Sequence, residues 1–185
     1  LCNNAVGNSS FIGGGNVNTS SGNYSAILGG LTNNSSGCTS AVIGGRNNIA
    51  GGSHSFIGGG SGNTISGAYS IINGGCGNVI NSSGSTISGG FKNTSNGDFS
   101  FIGAGSANTT CMSSVVVGGI FNRADSSCSF IGGGGTNYSN AIYTSIVGGF
   151  GNQTTGYYSS IIGGFCNRAT TCYSTISGGY CNTIS

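Results

Sequence analysis

The chain has 185 residues, enough for one ordinary domain, yet it carries 40 glycines, no proline, no tryptophan and only six charged side chains, for a net charge of +2. Collagen would need abundant proline with its glycines, and disorder usually pairs low hydrophobicity with high net charge. Arg46, Lys92, Arg123 and Arg168 are scattered and make no basic patch for nucleic acid. No apolar run reaches the ~18–20 residues of a bilayer span, so no membrane insertion is expected of this segment.

Taken in chain order, the first unit, Ser10–Asn18, reads as a short β-strand, a glycine turn and an asparagine. The same frame begins again at Ser25, Ser40, Ser55, Ser70, Ser85, Ser100, Ser114, Ser129, Thr144, Ser159 and Ser174. With the first serine as position 0, position +2 is Ile or Val throughout, as at Ile12, Ile57 and Ile102. Such β-branched residues favour strand. Position +4 is glycine except at Ala104, and +5 is always glycine, as at Gly15, Gly60 and Gly105. Position +8 is always asparagine, as at Asn18, Asn63 and Asn108. The spacing is fifteen, with one step of fourteen whose deletion falls in Thr109–Ser113, read as a loop.

A fifteen-residue period is too short for a helix pair and fits one coil of a β-solenoid. The expected fold is all-β, with about twelve coils in a single array spanning 1–185. In-register stacking brings each side chain to ~4.8 Å from its copy, where like charges repel and neutral asparagine or serine forms ladders. Hence charge is scarce. Strand alternation places Ser, Ile and the +4 glycine inward, and asparagine is expected to use its tolerance of left-handed backbone. The chain opens at +6 and closes at +11 of the frame, which predicts a segment of a longer fibre, uncapped at both ends.

The opposite strand face is apolar. Phe11, Phe56, Phe101 and Phe130 occupy +1, each followed by glycine at +3, whereas small +1 residues precede Leu28, Ile43, Val147 and Ile162. Constant volume is a property of close-packed interfaces, so this face is expected to pack against other copies of the chain. Position +14 holds Tyr24, His54, Tyr69, Phe99, Tyr143, Tyr158 and Tyr173. This row is a candidate contact strip for a glycan or protein partner, or a packing feature between coils or chains.

Nothing points to catalysis, a metal or a cofactor. His54 is the only histidine, a ligand or base on one reading and one more ring of its row on the other. Asp98 and Asp125 are the only carboxylates and stand at different frame positions, against paired-carboxylate chemistry. Gly58-Gly59-Gly60 lacks the Lys-Ser/Thr of a phosphate loop. The eight cysteines include no C-x-x-C pair and read as small semi-apolar fillers or as disulfide partners. Cys166 and Cys181 share +7 in consecutive coils, within disulfide range or as a reduced pair. Asn-x-Ser/Thr triplets at Asn8, Asn18, Asn23, Asn33, Asn81, Asn93, Asn108, Asn137 and Asn152 are nominal glycosylation sites.

The frame Ser-x-Ile-x-Gly-Gly-x-x-Asn-x-x-x-Gly resembles the left-handed β-roll repeats of trimeric autotransporter adhesin heads and related phage and viral fibre proteins. The resemblance covers essentially the whole chain. It departs in period, double glycine and cysteine content from the usual adhesin repeat of about fourteen residues. It implies a parallel homotrimer or filament on a cell or virion surface, acting in extracellular attachment. The alternative setting is the shaft or receptor-binding segment of a phage or viral tail fibre. A third reading, ice binding, rests on Thr19, Thr64, Thr94, Thr109 and Thr183 at +9, a row interrupted by Ile49, Arg123, Tyr138 and Arg168.

Overall fold

A computed structural model describes residues 2–185. Two compact units, Leu1–Lys92 and Asn93–Ser185, emerge from its internal contacts. Each is a parallel β-solenoid, the array amounts to about twelve coils of about 15 residues, and no described residue is helical.

Each coil contains two strands of two residues, and these feed two parallel sheets. In Leu1–Lys92 the first sheet is built from positions +1 and +2, from Phe11–Ile12 to Thr86–Ile87. Its register is one coil per rung: Ile12 faces Ile27, and Ile72 faces Ile87. The second sheet is built from +9 and +10, as in Thr19–Ser20, Asn34–Ser35 and Thr64–Ile65. Asn93–Ser185 repeats the plan, with Phe101–Ile102 in one sheet and Arg123–Ala124 in the other. The second strand is absent from the sequence-based reading, which gives each coil one strand followed by a turn. Thr109–Thr110 is also a strand rather than loop. The deleted residue belongs to the turn that follows, and pairing stays regular across it, with Phe101 opposite Val115 and Thr109 opposite Arg123.

Inward positions are 0, +2, +8, +10 and, where glycine or alanine stands there, +12. The +2 column is fully buried from Ile27 to Ile161, Val42 and Val116 included. Each such side chain contributes about 1.5–3 kcal/mol of apolar transfer. The expected inward +4 glycine is not inward. A Cβ built on Gly14, Gly29, Gly44 or Gly74 meets nothing within 4 Å, because the chain is already turning. At +5 glycine is obligatory: Gly60 has φ +90, and a Cβ there would lie 2.1 Å from the Gly75 carbonyl oxygen of the next coil.

The interior is far more polar than Ser, Ile and Gly alone would make it. Asn63 is fully buried. Its Nδ2 donates to the carbonyls of Gly59 (2.9 Å) and Gly75 (3.1 Å), and its Oδ1 accepts from the Asn78 backbone N–H (3.0 Å). Asn108 does the same in the other unit, donating to Ala104 and Gly119 and accepting from Asn122. Each net bond is worth about 0.5–1.5 kcal/mol, and leaving such groups unpaired would cost more. Serines add a second inner row: Ser20 and Ser25 share a hydrogen bond of 2.7 Å, as do Ser35 and Ser40.

The asparagines of this ladder are not the left-handed residues. Positive φ falls at +7 and +14, in residues as unsuited to it as Val17, Tyr24, Phe121 and Tyr158. Strand N–H groups donate forward, as from Phe56 to the Ser70 carbonyl, whereas left-handed residues donate backward, as from Tyr69 to Ser53 and Thr32 to Asn16. Reversing the peptide satisfies a carbonyl of the preceding coil that would otherwise lack a donor.

Candidate functional site

With the interior filled, chemistry available to a partner lies on the outer faces. On the first sheet, +1 and +3 side chains project outward as the alternation requires. Phe11 is 57% exposed, Leu28 51%, Ile43 40% and Val147 52%. Phe101 and Phe130 are less so, and Phe56 is half-buried. The +3 glycines answer first to the backbone: a Cβ on Gly13, Gly103 or Gly132 would lie 2.7, 2.3 or 2.4 Å from the Leu28, Val117 or Val147 carbonyl oxygen of the next coil. A Cβ on Gly13 would stand 3.2 Å from the Phe11 ring, on Gly103 3.5 Å from Phe101, and on Gly132 3.4 Å from Phe130. The Phe11, Phe101 and Phe130 rings also lie beside the glycine of their own coil.

The +14 row is brought together as a true ladder, but only in part. His54 stacks on Tyr69 with centroids 4.8 Å apart, and Tyr143, Tyr158 and Tyr173 form a continuous stack at 5.1 Å per step. Tyr24 and Phe99 are exposed without a stacked neighbour in the row, where Thr39 and Ser113 follow them. His54 is a member of the row. Thr39 Oγ1 lies 2.7 Å from the Cys38 carbonyl and shares a hydrogen bond of 2.6 Å with His54 Nδ1. In-register stacking also determines what the rings offer: their faces cover one another, and their edges and hydroxyl groups point to solvent.

A second ring column lies at +6, where Phe150, Phe165 and Tyr180 stack at 5.6 and 5.3 Å. Its signal was in plain sight as aromatic residues fifteen apart in consecutive coils. Sequence reasoning followed the +14 row and passed over it. On the outer face of the second sheet, Arg123 pairs with Asp125 and lies over the Tyr138 ring, 5.3 Å from its centroid. An open groove between the +7 and +9 columns is lined by Val17, Thr19, Thr32, Asn34, Asn47 and Ile49.

Two further expectations change on the structure. Asn18, Asn33, Asn93, Asn108, Asn137 and Asn152 are buried in the ladder, so their triplets are not accessible glycan acceptors in the folded chain. Asn8, Asn23 and Asn81 are exposed. The cysteines are not interior fillers: all eight are free thiols, six exposed and two, Cys111 and Cys166, half-buried. Burial, reinforced by the Asp125 charge, raises the Cys111 thiol above its ordinary value despite the opposing Arg123. Among the described residues no three His, Cys, Asp or Glu side chains gather where they could hold a metal ion. No helix is long and apolar enough to cross a membrane. No family model and no curated protein matches the chain.

Proposed function

We propose that this chain is a structural repeat region of an extracellular attachment fibre, on a cell or virion surface, that associates with copies of itself through the outer face of the first sheet. The observation that carries the reading is the run of large apolar side chains on that face, Phe11, Leu28 and Ile43 in one unit and Val117, Val147 and Ile162 in the other. Contiguous exposed apolar surface of this kind marks an interaction site, and association removes it from water. A parallel homotrimer is the arrangement the β-roll resemblance implies. The chain performs no chemistry on this reading: its interior asparagine amides and most of its interior hydroxyls are engaged in hydrogen bonds, Ser159 Oγ being without one.

For the outward partner, the ring ladders favour a protein or a hydrogen-bonding glycan edge over a sugar stacked on ring faces. Neighbouring rings already cover those faces in Tyr143, Tyr158 and Tyr173. Sedimentation equilibrium of the purified chain tests the self-association. A trimer that weakens when Leu28 and Ile43 are both changed to Ser supports the reading, and a monomer at all concentrations overturns it.

A further inference from the structure

Of the eight thiols, only Cys166 and Cys181 occupy the same frame position in consecutive coils. Their backbones are one rung apart. Phe165 bridges Tyr180 in parallel register, and on the other side Arg168 faces Thr183. The Cys181 N–H donates to the Phe165 carbonyl at 2.8 Å, and the Cys166 N–H donates to that of Phe150 at 2.9 Å. A rung of about 4.8 Å lies inside the Cα separation of about 4.4–6.8 Å that a disulfide spans. Cys166 is half-buried and Cys181 exposed. Burial pushes the Cys166 thiol up, and the neighbouring Cys181 pushes it further in the same direction.

We infer that Cys166 and Cys181 form a reversible disulfide that ties one coil to the next when the chain meets a small-molecule disulfide. The steps balance as thiol–disulfide exchange. The exposed Cys181 thiolate attacks one sulfur of the small disulfide, and the other sulfur leaves as a thiolate. Cys166, having lost its proton to solvent, attacks the Cys181 sulfur of the mixed disulfide and expels the second thiolate. One small disulfide is reduced to two thiols, and the protein dithiol is oxidised to one disulfide. The half-buried Cys166, held toward its protonated form, makes the second step the slower one and lets it quicken as pH rises. An in-register pair sets its Cβ atoms about 4.8 Å apart, just beyond the ~3.5–4.5 Å of an unstrained disulfide, so closing the bond draws the two coils together and leaves it readily reduced again.

The test incubates the whole chain with oxidised glutathione, alkylates the remaining thiols, and maps peptides after cleavage at arginine. Cleavage after Arg168 separates Cys166 from Cys181. The expected result is the loss of two alkylatable thiols, a linked pair of peptides from either side of Arg168, and full recovery of both thiols in reduced glutathione. The linked pair disappears in Cys166→Ser and in Cys181→Ser. Cys166→Ser instead keeps a lasting glutathione adduct on Cys181. The inference is overturned if the linked pair survives in Cys181→Ser, since Cys172 would then be the partner. It is equally overturned if the unaltered chain carries glutathione adducts at both positions and no link.

Discussion

The two sheets of each coil bury different chemistry. The inner column of the first is Ile or Val in every coil, whereas that of the second runs Ser20, Ser35, Ala50, Ile65, Ile80 in one unit and Ser95, Thr110, Ala124, Ser139 in the other. The difference traces to position 0, which faces the second sheet's column. Where +10 carries a hydroxyl, several of these serines share a hydrogen bond with it, as Ser25 does with Ser20 and Ser40 with Ser35. With or without that partner, the position 0 hydroxyl donates to a carbonyl of the preceding turn, as Ser25 does to Gly22 at 2.7 Å, Ser55 to Gly52 at 2.6 Å and Ser129 to Ser126 at 2.7 Å. One adaptable hydroxyl thus frees the opposite wall to vary. The first sheet has no such device, and its wall is uniform.

The largest effect is expected where both sheets depend on one turn. Gly60→Ala places a methyl 2.1 Å from the Gly75 oxygen at a left-handed φ. Thermal unfolding followed by circular dichroism should show a loss on the order of 4 kcal/mol or more. Gly74→Ala, whose methyl meets nothing within 4 Å, should stay within about 0.5 kcal/mol.

The next experiment separates the sheets. Ile57 and Ile65 are both fully buried, one in each inner column. Ile57→Ser should cost about 3–5 kcal/mol in urea titrations, as deep core truncations do. Ile65→Ser should cost about 1–2 kcal/mol less, because a hydroxyl at +10 finds a partner. Equal losses would break the comparison between the two walls. The smallest effect belongs to the outside. Tyr158→Ala interrupts the ring stack on both sides and should lower stability by about 0.5–1.5 kcal/mol with the far-ultraviolet spectrum unchanged.

How much of this could be read from residues alone varies with what each position answers to. Ile57, Gly60 and Asn63 are dictated by a single coil's own needs (a wall, a turn and a ladder), and their constancy made the solenoid legible. The second sheet was not, because its pairs range from Asn34-Ser35 and Arg123-Ala124, poor strand formers, to Val79-Ile80, good ones, so no residue type recurs to mark it. Their hydrogen bonds come from neighbouring coils. The left-handed backbone of Tyr24 and Phe121 was hidden for the same reason: what demands it is a carbonyl on the preceding coil. The +1 and +3 pairing is legible as an alternation of size, whereas the Leu28 carbonyl oxygen 2.7 Å from a Cβ on Gly13 belongs to the next coil and leaves no mark in the sequence.

The alternation of forward- and backward-donating amides has a mechanical consequence. A coil bonded in only one sense can shift along its neighbour by exchanging equivalent partners; one held in both senses must break opposed sets together. Under tension such an array yields coil by coil. Each release of fifteen residues then lengthens the chain by a nearly constant increment of roughly 50 Å.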